Sequence, residues 1–133
     1  MLNELAKQIN ESVRAKGFWD SMDNAISGLE DHALEYIGST ECAIVKATKD
    51  AFISQKIALI QSELSEALEA MRKGDYTENG YGIGKKDSFA DELIDAVVRI
   101  FDLAGELDID LDAQLAFKLA YNAQREAKHG KEF

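Results

Sequence analysis

The chain has 133 residues, enough for one domain that can bury a core without disulfide or metal staples. Its apolar fraction of 46% excludes intrinsic disorder, and the absence of proline beside abundant Ala, Leu, Glu and Lys favours helices over strands. A formal net charge of -10 disfavours nucleic acid as a partner, although a bound cation can still invert the local field for a small phosphorylated ligand.

Taken in order, Leu2 to Lys16 reads as a first helix, with Leu2, Leu5, Ile9 and Val13 near helical spacing and Gly17 as its stop. This amphipathic start carries no apolar run of signal-peptide type, and no stretch approaches the ~18 apolar residues of a membrane span. A cytoplasmic protein with no membrane partner is expected. The aromatic pair Phe18-Trp19 follows the break. Ser21 to Gly38 is helical in character but weakly periodic. The one cysteine, Cys42, cannot form an internal disulfide and reads as a small buried hydrophobe. The next helix is strongly patterned, with Ile53, Ile57, Ile60, Leu64, Leu68 and Met71 at three- and four-residue steps. Its start falls between Thr40 and Ala51, and Lys73-Gly74 closes it. Asp75 to Asp87 reads as a loop whose glycines (Gly80, Gly82 and Gly84) follow no strand, so a connection is expected rather than a phosphate cradle. Ser88 and Asp91 resemble a capping box opening a helix from Phe89 to about Leu107. Its apolar face is wide, with Leu93, Ile94, Val97, Val98, Ile100, Phe101 and Ala104. A face of that width predicts burial on more than one side, in a bundle core or an oligomer seam. The last helix is predicted over Leu111 to Lys128. The expected architecture is an all-α bundle of four to five helices forming one domain, 1–133, and a homo-oligomer.

Two carboxylate pairs carry the chemistry. Glu63 and Glu66 lie in Glu-Leu-Ser-Glu, and Glu92 and Asp95 in Glu-Leu-Ile-Asp. Residues three apart on a helix are close in angle and separated by ~4.5 Å along the axis, so each pair presents its oxygens together. Two such helices side by side would gather four carboxylates, the all-oxygen environment that magnesium and manganese favour. The plain alternative is a set of surface acids, with Arg99, four residues after Asp95, as a salt-bridge partner. Against it, Glu63 has Leu59, Ile60 and Ala67 as helical neighbours, and Glu92 and Asp95 interrupt an otherwise apolar face. Buried carboxylates need a cation or hydrogen bonds.

The last predicted helix adds a second element. Leu111, Leu115, Lys118, Asn122 and Arg125 fall on one line that begins apolar and ends in polar donors. Lys and Arg there could grip phosphate oxygens, or could simply complement the helix dipole at a cationic C-terminus. The tail Lys128-His129-Gly130-Lys131 adds positive charge.

Glu63-Leu-Ser-Glu66 followed by Glu92-Leu-Ile-Asp95 resembles the ExxE…ExxD signature of MazG-like nucleotide pyrophosphohydrolases, in the all-α NTP pyrophosphatase group. Gly17-Phe18-Trp19 ahead of the motif helix fits the same resemblance. So does the run from Lys118 through Tyr121-Asn122 and Arg125 to Lys131, which is similar to the C-terminal segment of this group and its dimeric dUTPase branch. Ser21 to Cys42 does not align. The resemblance implies a homodimer or homotetramer that hydrolyses nucleoside triphosphates to the monophosphate and pyrophosphate, with a role in nucleotide-pool sanitation. It implies magnesium, with manganese as a substitute, on Glu63, Glu66, Glu92 and Asp95. Lys118, Asn122, Arg125 and Lys131 would contact phosphates, Trp19 would stack on the base, and the general base would be Glu63 or Glu66.

Two other readings compete. A di-iron carboxylate bundle needs Glu-x-x-His on two helices, whereas the chain offers only Glu126-Ala-Lys-His129, and His32 has Leu29 three residues before it. The non-enzymatic reading is a helical oligomer or interaction module whose acids solvate its surface.

Overall fold

Local signals in the sequence set where the helices begin and end. A computed structural model of the chain describes residues 1–37, 42–74 and 84–125. Among the described residues there are five α-helices and no strand. The first, α1, is Leu2–Ala15, and Gly17 stops it with φ +78°, a conformation open to glycine. A Cβ at Gly17 would also lie 2.8 Å from the Asp20 carboxylate. The weakly periodic segment is a full helix, α2, Asp20–Ile37. Helix α3 begins earlier than its strongest pattern, spanning Ala43–Arg72 behind Cys42, which is extended as the N-cap. Gly74 then turns the chain with φ +86°. The expected glycine loop lies mostly outside the described residues.

Helix α4, Phe89–Glu106, opens as the sequence predicted, with the Ser88 hydroxyl accepting the Asp91 N–H at 3.4 Å. The Asp91 carboxylate in turn accepts from the Asp87 N–H at 2.8 Å. Helix α5, Leu111–Ala123, is shorter than predicted. Its end tightens into three-residue hydrogen bonds, Gln124 N–H to Tyr121 O and Arg125 N–H to Asn122 O. Arg125 therefore sits beyond the helix, and the line from Lys118 through Asn122 is broken before it. Residues 126–128 fall outside the described set.

Helices α3 and α4 form the main pair; α1 packs on α4, α2 on α3, and α5 leans on α1. The core is built mostly from small side chains: Ala6, Ala33, Ala67, Ala70, Ala96 and Ala104 are buried beside Trp19, Ile26, Val45 and Leu103. Small residues let backbones approach closely, and at Gly105 a Cβ would come within 2.8 Å of the Ala6 carbonyl on α1. In consequence many larger apolar groups stay outside. Ile94, Val97 and Ile100 of α4, Leu64 and Leu68 of α3, and Leu115, Phe117 and Leu119 of α5 are all exposed in the single chain. No helix among the described residues is long and apolar enough to cross a membrane.

One polar network ties α1 and the α1–α2 turn to α4. Asp102, itself buried, accepts from the Trp19 indole N–H and the Asn10 amide, both at 2.9 Å. Arg14 reaches Glu106 through Nε at 2.8 Å and Nη2 at 2.6 Å, and Asp23 through Nη1 at 2.7 Å. Every buried donor named here has its acceptor, as a buried polar group requires.

Candidate metal centre and its neighbouring pocket

The α3–α4 pairing brings the two motif helices side by side. Oxygens of Glu63, Glu92 and Asp95 lie within 4.8 Å of one another. Glu63 is 6% exposed and Glu92 5%, so two of the three are buried, while Asp95 faces outward. Glu66, the fourth acid of the expected set, is exposed and is not in this cluster. Its charge nevertheless acts on Glu92. A second trio, Asp87, Asp91 and Glu92, shares Glu92 with the first and carries the acidic surface to the start of α4.

Burial and crowding push the carboxyls of Glu92 and Asp95 up. Glu92 is raised first by desolvation, then by the charges of Glu66, Glu63, Asp95 and Asp87. Asp95 is raised by desolvation, Asp91 and Glu63, against opposing pulls from Arg99 and Lys86. Like charges gathered in a partly dry place are relieved by a cation. A set of carboxylate oxygens this close, with no nitrogen or sulfur among them, fits a hard divalent ion such as magnesium or manganese.

Among the described residues, Arg99 is a counter-ion within the cluster. Arg99 donates through Nε to Oε1 of Glu63 at 2.6 Å, with the arginine side chain 41% exposed. The sequence suggested Arg99 as the partner of Asp95 on its own helix. The structure gives its hydrogen bond to Glu63 across the helix pair, and Asp95 receives only its charge.

Beside the cluster lies a pocket of about 220 Å³ between the end of α1, α3 and α4, with Asp95 and Arg99 shared between the two. Lys16, Lys56 and Arg99 give it positive charge, Val13, Leu59 and Val98 give apolar walls, and Phe18, 66% exposed, stands at its edge. Asp102 closes the list of charged groups. Lys56 is held in place: its ammonium sits 3.8 Å over the Trp19 ring centre, donates to the Phe18 carbonyl at 3.3 Å and lies 4.0 Å from Asp102.

Trp19, expected to stack on a base, is only 1% exposed. Its N–H is taken by Asp102, and Lys56 and Arg14 lie over its ring, so it supports the pocket from behind with no open face. Lys118 and Asn122 lie exposed on α5, with Arg125 exposed just after it. Lys118 and Arg125 approach the Tyr121 ring at 5.7 and 5.5 Å. Among the described residues no hydrogen bond or ion pair links these three to the carboxylates of the same chain. Lys131 falls outside the described residues, as do Glu126 and His129; His32 meets the Tyr36 ring at 4.4 Å on α2.

Sequence reasoning missed Asp87, Asp91 and Lys56. Asp91 stands four residues before Asp95, a helical spacing that puts both on one side of α4, while Asp87 precedes the helix and joins Asp91 and Glu92. For Lys56 no sequence signal existed, since its place depends on Trp19 arriving from the α1–α2 connection. Compared with known protein families, with curated proteins and with solved structures, the chain gives no match.

Proposed function

We propose that the chain is a magnesium- or manganese-dependent nucleoside triphosphate pyrophosphohydrolase of MazG-like kind, converting an NTP or dNTP to the monophosphate and pyrophosphate. The observation that carries this reading is the convergence of Glu63, Glu92 and Asp95 within 4.8 Å, two of them buried, beside a cationic pocket with apolar walls. The ordered ExxE…ExxD motif resemblance stands beside it.

In this reading Glu63, Glu92 and Asp95 hold the cation, and Glu66 closes the set from the rim. The bound ion would neutralise charge on the phosphate oxygens and acidify an attacking water. Water adds at the α-phosphorus while the bond to the bridging oxygen breaks and pyrophosphate leaves, with Glu63 or Glu66 accepting the proton. Lys16 and Lys56 supply positive charge along the neighbouring pocket, and Val13, Leu59 and Val98 exclude water there. Lys118, Asn122 and Arg125 would reach phosphates from the partner subunit of a homodimer or homotetramer, because α5 of the same chain packs on α1. The exposed apolar side chains of α3, α4 and α5 are what such an assembly would cover.

The test is a screen of common and damaged nucleoside triphosphates with magnesium or manganese, with pyrophosphate and orthophosphate detected separately. Pyrophosphate release is expected; orthophosphate alone, or no turnover, would reject the reading. The same exposed apolar faces favour a second reading, a non-enzymatic helical oligomer. That version predicts no thermal shift with either metal.

A further inference from the structure

We propose that Arg99 is a metal-displaced substrate clamp: its guanidinium holds Glu63, and when a divalent cation takes that carboxylate it turns into the adjoining pocket to grip a phosphate group. The inference rests on the metal reading above and assigns a role to a residue outside the ExxE…ExxD motif.

Three features of the site carry it. First, Arg99 occupies one of the two oxygens of a candidate ligand. The Glu63 oxygens belong to the cluster with Glu92 and Asp95, and Arg99 Nε already binds Oε1 at 2.6 Å. A dication drawn to the same buried carboxylate meets a positive charge in contact with it, so the two compete. Second, Arg99 has somewhere to go. Its side chain is partly exposed and lines the pocket, and among the described residues only its Nε makes a hydrogen bond. Rotation about its own side-chain bonds moves the head from Glu63 toward Lys56 and Lys16.

Third, the pocket is short of anion. Lys56 is lowered by burial and by the Arg99 charge, with Asp102 pulling the other way. Asp102 is already shared by Trp19 and Asn10. Once metal neutralises Asp95 and releases Arg99, Lys16, Lys56 and Arg99 face one another with Asp102 as the remaining acid of the pocket. A phosphate group between them relieves that repulsion, and a forked guanidinium offers it two parallel donors. The arrangement makes phosphate binding conditional on metal, so metal-free nucleotide is refused.

Two binding measurements on the full chain test this, neither of which needs turnover. Free manganese is followed by its paramagnetic resonance signal as protein is added without any nucleotide. Inorganic tripolyphosphate is then titrated calorimetrically at saturating magnesium. Arg99→Gln should bind manganese about fivefold more tightly, because the competing ion pair is gone. It should bind tripolyphosphate about tenfold more weakly. Arg99→Lys keeps the charge without the fork, so its manganese affinity should stay near the parent's while tripolyphosphate binding still falls. This second variant carries the test if Arg99→Gln does not fold. Unchanged or weaker manganese binding by Arg99→Gln, or unchanged tripolyphosphate binding by either variant, overturns the clamp. A parent chain that binds manganese beside such variants loses only the clamp; a parent chain that binds no manganese rejects the metal reading and the clamp together.

Discussion

Replacing Glu92 by glutamine keeps the shape of the side chain and deletes one charge from the centre of the acidic cluster. Glu92 suits this better than Glu63, whose charge is needed by Arg99. In the metal-free chain, burial and the charges of Glu66, Glu63, Asp95 and Asp87 all raise the Glu92 carboxyl above its ordinary range. An acid raised on folding makes the native state bind more protons than the unfolded one. Stability is therefore lost as pH rises from the ordinary glutamate range through the raised value, and stays lost at neutral pH. Each pH unit of such a shift is worth about 1.4 kcal/mol, but the cluster lies in a thin helical layer where water screens it. A gain of about 0.5–1 kcal/mol is the reasonable size. For 133 residues 1 kcal/mol moves Tm by about 3–4 °C, so metal-free Glu92→Gln should melt about 2–4 °C above the parent at pH 7 and match it near pH 4. Metal should act in reverse. An ion at a hundredfold its Kd adds about 2.7 kcal/mol, or about 10 °C, to the parent, and much less to the variant because its Kd is weakened. The assay is a melting curve for each protein with chelator and with excess magnesium, at both pH values. If Glu92→Gln melts below the parent in chelator, or keeps the parent's full magnesium shift, the cluster is not a strained cation site.

Other expectations follow from the same structure. Light scattering at micromolar concentration should give at least a dimer mass, since α4 and α5 leave broad apolar faces bare; a monomer mass would leave those faces unexplained. Lys118→Ala should weaken nucleotide binding while sparing the fold and the magnesium shift, and unchanged substrate kinetics would make Lys118 an ordinary surface lysine. Asp102→Ala strips the acceptor from both Trp19 and Asn10 and should cost about 2–4 kcal/mol, read as a Tm drop of about 10 °C. Asp102→Asn, which keeps one oxygen, should lose less than half of that, and equal losses would show that the hydrogen bonds are not the cause.

The helices themselves were legible in the residues, because local chemistry fixes them. Gly17 and Gly74 are stops that a positive φ makes physical, and Ser88 caps α4 through its own hydroxyl. Of the four motif acids, spacing alone could pair Glu92 with Asp95, since an i, i+3 step fixes the angle between them; Glu63 joins them only through the packing of α3 on α4. What the sequence could not decide were contacts that depend on which helix faces which. Trp19 read as one of an aromatic pair after a break, with base stacking implied by the resemblance, yet Asp102, eighty-three residues away, draws its N–H into the core. Arg99 had Asp95 at ideal helical spacing, and crossing to Glu63 gave it a buried partner instead. Glu66 shares its motif with Glu63, but its place on α3 leaves it exposed and outside the trio, where its charge acts on Glu92. Periodicity is a property of one helix and can be read along the chain. The pairing of charges is a property of two, and it is settled only when their small-residue faces close on each other.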